Sequence, residues 1–141
     1  MSSNWNGKKV LILGLSVSGT AAARYLAQCG ANVYITENRQ EKPEDKQLIE
    51  ELKSLGIKIE MGSHSEEFIS DVHLAVTSPS VPLDSEIYLK LKSRNVQIIS
   101  EVSLAYLETK SPFVAITGTN GKTTTTALTS HILSTEFNAP A

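Results

Sequence analysis

The sequence predicts an α/β fold: a doubly wound parallel sheet, followed by the first strand–loop–helix unit of a second, incomplete domain. Short apolar runs rich in β-branched residues alternate with helix-patterned segments at roughly 20–25-residue spacing. The runs are nearly continuous in apolar residues, as expected of parallel strands buried on both faces. One glycine turn follows the first run and another follows the last, and each opens a helix.

The first strand is Lys9–Leu13 (KVLIL), stopped by Gly14. A helix follows over about residues 20–28, with Ala22, Leu26 and Cys29 at i, i+4 and i+7 and Gly30 at its end. Residues 33–36 (VYIT) are the second strand. Residues 43–55 read as a helix with Pro43 in its first turn, Leu48, Leu52 and Leu55 on one face, and Gly56 as its stop. Residues 57–61 and 72–77 are the third and fourth strands, the latter stopped by the turn Ser78-Pro79-Ser80-Val81-Pro82. Residues 84–94 are helical, with Ile87, Leu91 and Arg94 on one stripe. Residues 96–99 are the fifth strand, and 100–108 form a short helix offering Val102, Tyr106 and Leu107 for packing. Thr109-Lys110-Ser111-Pro112 reads as a linker. Residues 113–117 (FVAIT) are a sixth strand, and 122–136 the last helix. The domains predicted are 1–110 and 111–141. The second is too short to bury a core of its own. Its apolar strand therefore docks on the first domain or drives self-association.

Composition excludes several classes. Lys and Arg total 13 against 15 Asp and Glu, a net charge of −2, so nothing favours broad nucleic-acid binding. No apolar run approaches the roughly 20 residues of a membrane helix. The N-terminus is polar and lacks a signal peptide's apolar stretch. The single cysteine, Cys29, forms no internal disulfide and reads as a small core residue, in keeping with a reducing cytoplasm.

The sharpest motif is Gly118-Thr119-Asn120-Gly121-Lys122-Thr123-Thr124. Glycines let successive backbone N–H groups turn inward toward phosphate oxygens, and the helix that follows adds the positive end of its dipole. Lys122 is placed to reach the β- and γ-phosphates of ATP, and Thr123 to put its hydroxyl on Mg²⁺. The general pattern GxxxxGK[ST] has a glycine where Ile116 stands, so this loop is shorter. Thr125 and Thr126 continue the helix.

The first turn, Gly14-Leu15-Ser16-Val17-Ser18-Gly19, resembles the GxGxxG turn of a Rossmann-like fold, with Ser16 in place of the middle glycine. Gly14 still permits the tight turn, and Gly19 with Ala21, Ala22 and Ala23 permits close helix–sheet packing. A side chain at position 16 argues against an ordinary NAD site. The turn's N–H groups, with the Ser16 and Ser18 hydroxyls, can still hold a phosphate. Glu37 ends the second strand, where an acidic residue meets a ribose in this fold. Asn38 and Arg39 beside it are candidates to read a base or ribose. The Ser78–Pro82 turn faces the same crevice. His64, His73 and His131 lack metal-ligand spacing, and His73 reads as a packed or edge residue of its strand.

The segments KVLILGLSVSGTAAARYL, ITENR, VTSPSVP, SEVSLAYL and FVAITGTNGKTTTTALTSHIL together resemble the start of a Mur ligase, over nearly the whole chain. The GTNGKTT loop is shared with folylpolyglutamate synthases. The first turn, the ENR loop and the SPS turn favour the D-glutamate-adding branch. The resemblance implies an ATP-dependent ligase of cytoplasmic peptidoglycan synthesis that joins D-glutamate to UDP-N-acetylmuramoyl-L-alanine through an acyl phosphate. It places Leu15 and Ser16 at the UDP diphosphate, Glu37, Asn38 and Arg39 at the uridine with Pro79 and Ser80 beside it, and Gly118 to Thr124 at ATP and Mg²⁺. Lys122 and Thr123 are the catalytic residues it implies, with Thr123 on the metal. Members often carry glycine or a small residue at position 16 and usually glycine at position 80. They continue with further Mg²⁺ ligands, a carbamylated lysine and a D-glutamate domain, so this chain alone is expected to be inactive and its full-length parent a monomer. Three other readings stand beside this one. They are a non-catalytic UDP-sugar-binding domain, an NAD-dependent oxidoreductase domain disfavoured by Ser16, and a folate-modifying ligase, whose loop is expected nearer the N-terminus.

Overall fold

Five of the apolar runs form one parallel sheet. The computed structural model describes residues 4–137, and the backbone divides into two compact units, Met1–Thr109 and Lys110–Ala141. In the first, β1 (Lys9–Leu13), β2 (Asn32–Glu37), β3 (Lys58–Met61), β4 (Leu74–Thr77) and β5 (Gln97–Ser100) lie in the order β3-β2-β1-β4-β5. Val10 stands opposite Val33 and Leu74, and Ile12 opposite Ile35 and Val76. Every strand pair is parallel.

Because successive side chains of a strand point to opposite faces, β1 serves two cores. Val10 and Ile12 join Val33, Ile35, Leu74 and Val76 under α1 (Val17–Gln28), α2 (Lys46–Ser54) and α5 (Glu101–Glu108). Leu11, Leu13 and Ala75 pack on the other face beneath α3 (Glu66–Ile69) and α4 (Glu86–Ser93). The four residues Val10 to Leu13 are at most 1% exposed. Burying an aliphatic side chain to that degree contributes roughly 1.5–3 kcal/mol. The helices that follow β1 and β2 cover one face, and the helix that follows β4 covers the other. The strand order therefore reverses between β1 and β4, and a crevice opens beyond their carboxyl ends.

Gly19 sets how closely α1 approaches the sheet. A Cβ there would lie 2.9 Å from the Gly14 carbonyl oxygen and 3.3 Å from Ile12 Cγ2. Ser16 caps the helix, its Oγ accepting from the Gly19 N–H at 3.0 Å. At the other end of the unit, the Glu108 carboxylate accepts from Trp5 Nε1 at 3.1 Å and from the Tyr25 hydroxyl at 2.8 Å. This holds the segment before β1 and the face of α1 to the end of α5, and the carboxylate beside the phenol pushes the Tyr25 pKa up.

Several elements differ from their sequence-based expectation. Residues 43–55 are a 3-10 turn, Pro43–Asp45, that passes into α2, and Ile49 rather than Leu55 joins Leu52 in burial. The short α3 was not anticipated. It forms because Ile69 is buried and Phe68 meets Tyr34 edge to face at 5.2 Å, a contact supplied by a distant strand. On α5, Leu104 packs inward while Val102, Tyr106 and Leu107 face out. His73 precedes β4 and is exposed, its Nδ1 accepting from the Lys9 N–H at 3.3 Å. Residues 113–117 form no ladder. A strand is completed by a neighbour's hydrogen bonds, and among its described residues the second unit contains one regular element, α6 (Lys122–Phe137).

Gly19→Ala is expected to lower the unfolding free energy by about 1–3 kcal/mol, because backbone and a packed Ile12 must yield to the added methyl. Urea unfolding followed by circular dichroism measures it, and an unchanged midpoint would show that α1 is not held at contact distance.

Candidate functional site

The crevice is a cleft of about 320 Å³ at the carboxyl ends of β1, β2 and β4. Its walls are Gly14 from the first turn, residues 36–38 at the end of β2, His64 from the loop after β3, residues 80–82 after β4, and residues 85–87 at the start of α4. That volume is at the small end of organic-ligand sites.

Gly14, at φ +98°, turns the chain out of β1, and its N–H donates to Thr36 O at 2.9 Å. The two loops beyond are braced by Glu37. One carboxylate oxygen accepts from the Leu15 N–H at 3.0 Å and the other from the Arg39 N–H at 3.1 Å. Arg39 itself turns to Asp45, with which it makes a bidentate pair at 2.5 and 2.9 Å. The guanidinium, seconded by the Lys42 N–H, holds the Asp45 carboxyl down at about 2.

Among the residues expected at the nucleotide, Glu37, Asn38 and Ser80 stand in the cleft wall. Leu15 and Ser16 follow Gly14 on the turn, with Ser16 Oγ engaged as the α1 cap. Ser18 Oγ donates to Glu101 at 2.8 Å. Pro79 is exposed on the turn beside the wall, and Ser80 Oγ donates to the buried Ser78 hydroxyl at 3.1 Å. Arg39 serves as a brace for the β2 loop. The guanidinium that the sequence offers to a base is, in this structure, shared with Asp45.

Three polar groups in the wall escaped the sequence reading. The buried Thr36 hydroxyl contacts Ser63 O at 2.9 Å and His64 Nδ1 at 2.7 Å. The His64 ring is half-buried, and burial lowers its pKa, opposed by the Glu60, Glu86 and Glu37 carboxylates. Ser85 Oγ is a buried side-chain oxygen with no hydrogen-bond partner among the described residues. It precedes the first turn of α4, where N–H groups point outward. The available signal was positional: Thr36 lies at the carboxyl end of β2, His64 follows β3 and Ser85 opens α4.

The second unit carries the loop 118–121 ahead of α6. Gly121 has φ +79°, and the Thr125 N–H closes the first helical bond to Gly121 O at 2.9 Å. Lys122 Nζ curls back to the Gly118 carbonyl at 2.7 Å, so the ammonium lies over the loop. The donor set is backbone amides, one ammonium and the hydroxyls of Thr119, Thr123 and Thr124, which suits an anion bearing several phosphate oxygens. Among the described residues no cluster of three or more His, Cys, Asp or Glu side chains could hold a metal. From this loop a cation beside a bound phosphate would be offered the Thr123 hydroxyl.

A strand order of 3-2-1-4-5 with helices on both faces defines the first unit as a doubly wound, Rossmann-like domain. Residues 8–100 match the family model "Mur ligase MurD-like, N-terminal domain", and the chain belongs to that family. It is 48% identical over 121 residues to the UDP-N-acetylmuramoylalanine–D-glutamate ligase of Caldanaerobacter subterraneus subsp. tengcongensis, covering 86% of this chain and 27% of that protein. The enzyme of the same name from Streptococcus uberis is 42% identical over 132 residues, 92% of this chain and 28% of that one. The chain thus spans little more than a quarter of the length of these relatives. A solved pseudomurein peptide ligase type C from Methanothermus fervidus superposes with a TM-score of 0.59 at 31% identity, over 90% of this chain and 26% of that chain. SirC, a precorrin-2 dehydrogenase, shares the fold alone, with a TM-score of 0.57 and 17% identity over 99% of this chain and 70% of its own. Among the described residues no helix is long and apolar enough to cross a membrane.

The Arg39–Asp45 brace has a defined pH dependence. Asp45 titrates at about 2 in the folded chain against 3.8 ordinarily, so the unfolded chain binds the proton first. The brace's contribution to stability is full above about pH 4 and is lost as pH falls toward 2. The urea midpoint of wild type should exceed that of Asp45→Asn at pH 6, and most of the gap should be gone at pH 2. A gap of equal size at both pH values would remove the ion pair as its source.

Proposed function

We propose that the first unit is the substrate module of a D-glutamate-adding Mur ligase, and that its cleft receives the UDP end of UDP-N-acetylmuramoyl-L-alanine. The observation that supports this most is the cleft itself. It lies at the point where the strand order reverses, and it carries the Ser85 hydroxyl and the Thr36–His64 pair in a chain whose 48%-identical relative is named for a UDP-linked substrate. The diphosphate would lie at the first turn of α1, where the dipole favours negative charge. The nucleoside would extend toward β2 and β3. Leu15, Ser16, Glu37, Asn38, Arg39, Pro79 and Ser80 surround that path, with Glu37 and Arg39 acting in part through the loops they brace.

The loop from Gly118 to Thr124 is read as the beginning of an ATP site in a cytoplasmic enzyme of peptidoglycan synthesis. ATP would supply its γ-phosphoryl group to the substrate carboxylate, a poor electrophile, giving an acyl phosphate and releasing ADP. The D-glutamate amine then displaces phosphate to form the amide. In this chain Lys122 stabilises negative charge on the phosphate oxygens, Thr123 offers its hydroxyl to Mg²⁺, and the amides of residues 118–121 orient the nucleotide. The rest of the catalytic apparatus lies in parts of the relatives that this chain does not match, and the chain by itself is not expected to ligate.

Calorimetric titration of the chain with UDP-N-acetylmuramoyl-L-alanine is expected to show saturable binding, with NADH inert beside it. Binding of NADH alone would overturn the assignment. Ser85→Ala should weaken the UDP ligand by about 2- to 10-fold, the value of one hydrogen bond, while leaving the thermal midpoint unchanged or raised. In the full-length protein, Lys122→Ala should lower turnover by about 100-fold or more. Turnover near wild type would remove Lys122 from the chemistry.

A further inference from the structure

The hydrogen bonds around Thr36 determine the state of His64. Thr36 Oγ1 is 2.9 Å from Ser63 O and 2.7 Å from His64 Nδ1. A carbonyl oxygen only accepts, and a hydroxyl has one proton to give. Thr36 therefore donates to Ser63 O, and the hydroxyl oxygen accepts from Nδ1–H of the imidazole. In the neutral ring the remaining lone pair is then on Nε2. Nε2 makes no hydrogen bond among the described residues, and the ring lines the cleft.

The charged groups around the ring decide whether it stays neutral. Glu60 of β3, Glu37 at the end of β2 and Glu86 of α4 favour the imidazolium, Lys90 of α4 opposes it, and burial opposes it most. The balance lies below the ordinary histidine value, so the ring is an acceptor at neutral pH.

Its place in the fold says what it would meet. The sheet order puts β1, with the helix N-terminus that suits phosphate, two strands from β3, whose following loop carries His64. A nucleotide laid across the strand ends with its phosphates at α1 therefore brings its base toward His64. Uracil has an N–H donor at its pairing-edge ring nitrogen. Cytosine has a lone pair there.

Resting on the nucleotide reading above, we propose that His64 is a specificity-determining residue of the cleft: Thr36 fixes the ring as the Nδ1–H tautomer, and Nε2 accepts the imide N–H of a uracil and disfavours a cytosine. A base that turns a lone pair toward Nε2 leaves two acceptors facing each other, which costs more than a missing bond. Protonation of His64 makes Nε2 a donor and reverses the preference, so the selection for uracil is present above the His64 pKa and is lost below it.

The test titrates the whole chain with UDP and with CDP at pH 7.5 and at lower pH values that span the His64 titration, itself followed by NMR of the same chain. Wild type should bind UDP about tenfold or more tightly over CDP at pH 7.5. His64→Ala should weaken UDP by about 3- to 10-fold and leave CDP no weaker, and tighter where the facing acceptors are relieved, collapsing the ratio. His64→Gln, whose amide oxygen can accept, should keep part of it. The UDP:CDP ratio of wild type should fall as the pH drops through the His64 titration, and that of His64→Ala should not. Using the ratio cancels the titration of the ligand phosphate, which falls in the same window. Long-range ¹H–¹⁵N correlation spectra of the free chain should show His64 as the Nδ1–H tautomer. An Nε2–H tautomer overturns the proposal without reference to binding. UDP binding in which His64→Ala moves UDP and CDP alike overturns it while the nucleotide reading stands. Failure of wild type to bind either nucleotide overturns both.

Discussion

β1 is buried on both faces, and the arrangement of the first unit follows from that constraint. A five-residue strand with four side chains at most 1% exposed must be covered above and below. The only continuous solution places helices on both sides of a parallel sheet. Once α1 and α2 occupy one face and α4 the other, the strand order reverses beside β1. The loops leaving β1 and β4 then diverge, and the cleft is the space between them. Gly14 and Gly19 are needed by the same constraint, one to turn the chain sharply off the buried strand and the other to let α1 lie against it.

The loops around the cleft are held by charge-assisted hydrogen bonds as well as by the apolar contacts of Leu15 and Val81. Glu37 joins the first turn to the β2 loop through two backbone N–H groups, and Asp45 fixes Arg39 and the Lys42 N–H. Such bonds cost no apolar surface and keep backbone near the ligand path. They also give two residues of the expected uridine loop a structural task. Glu37 occupies the Leu15 N–H, which leaves the other amides of the first helical turn as the donors open to an anion there.

The second unit has a different physical character. Its loop and α6 provide anion-binding groups, yet Phe113, Val114, Leu128 and Ile132 are all exposed. Its apolar residues outnumber what one helix and one extended segment can cover. The geometry of the loop is local, a matter of glycine dihedrals and a helix terminus, and needs no core.

The repeating apolar runs, the glycine turns and the caps were legible along the chain because each depends on residues within a few positions of one another. These determined five strands, the doubly wound class, the glycine loop ahead of the last helix and the positions of Glu37, Asn38 and Ser80 at the strand ends. Properties that depend on distant partners were decided by tertiary structure alone. Residues 113–117 are as apolar as a strand, but without a neighbour they form no ladder. The four residues of α3 are too few for a periodic signal, and Tyr34 and the core hold them. Arg39 looked free until Asp45 was found beside it. His64, one of three scattered histidines in the sequence, became a defined acceptor only when folding set it against Thr36 and Ser63, because a side chain's protonation state and tautomer belong to its surroundings rather than to its position in the chain.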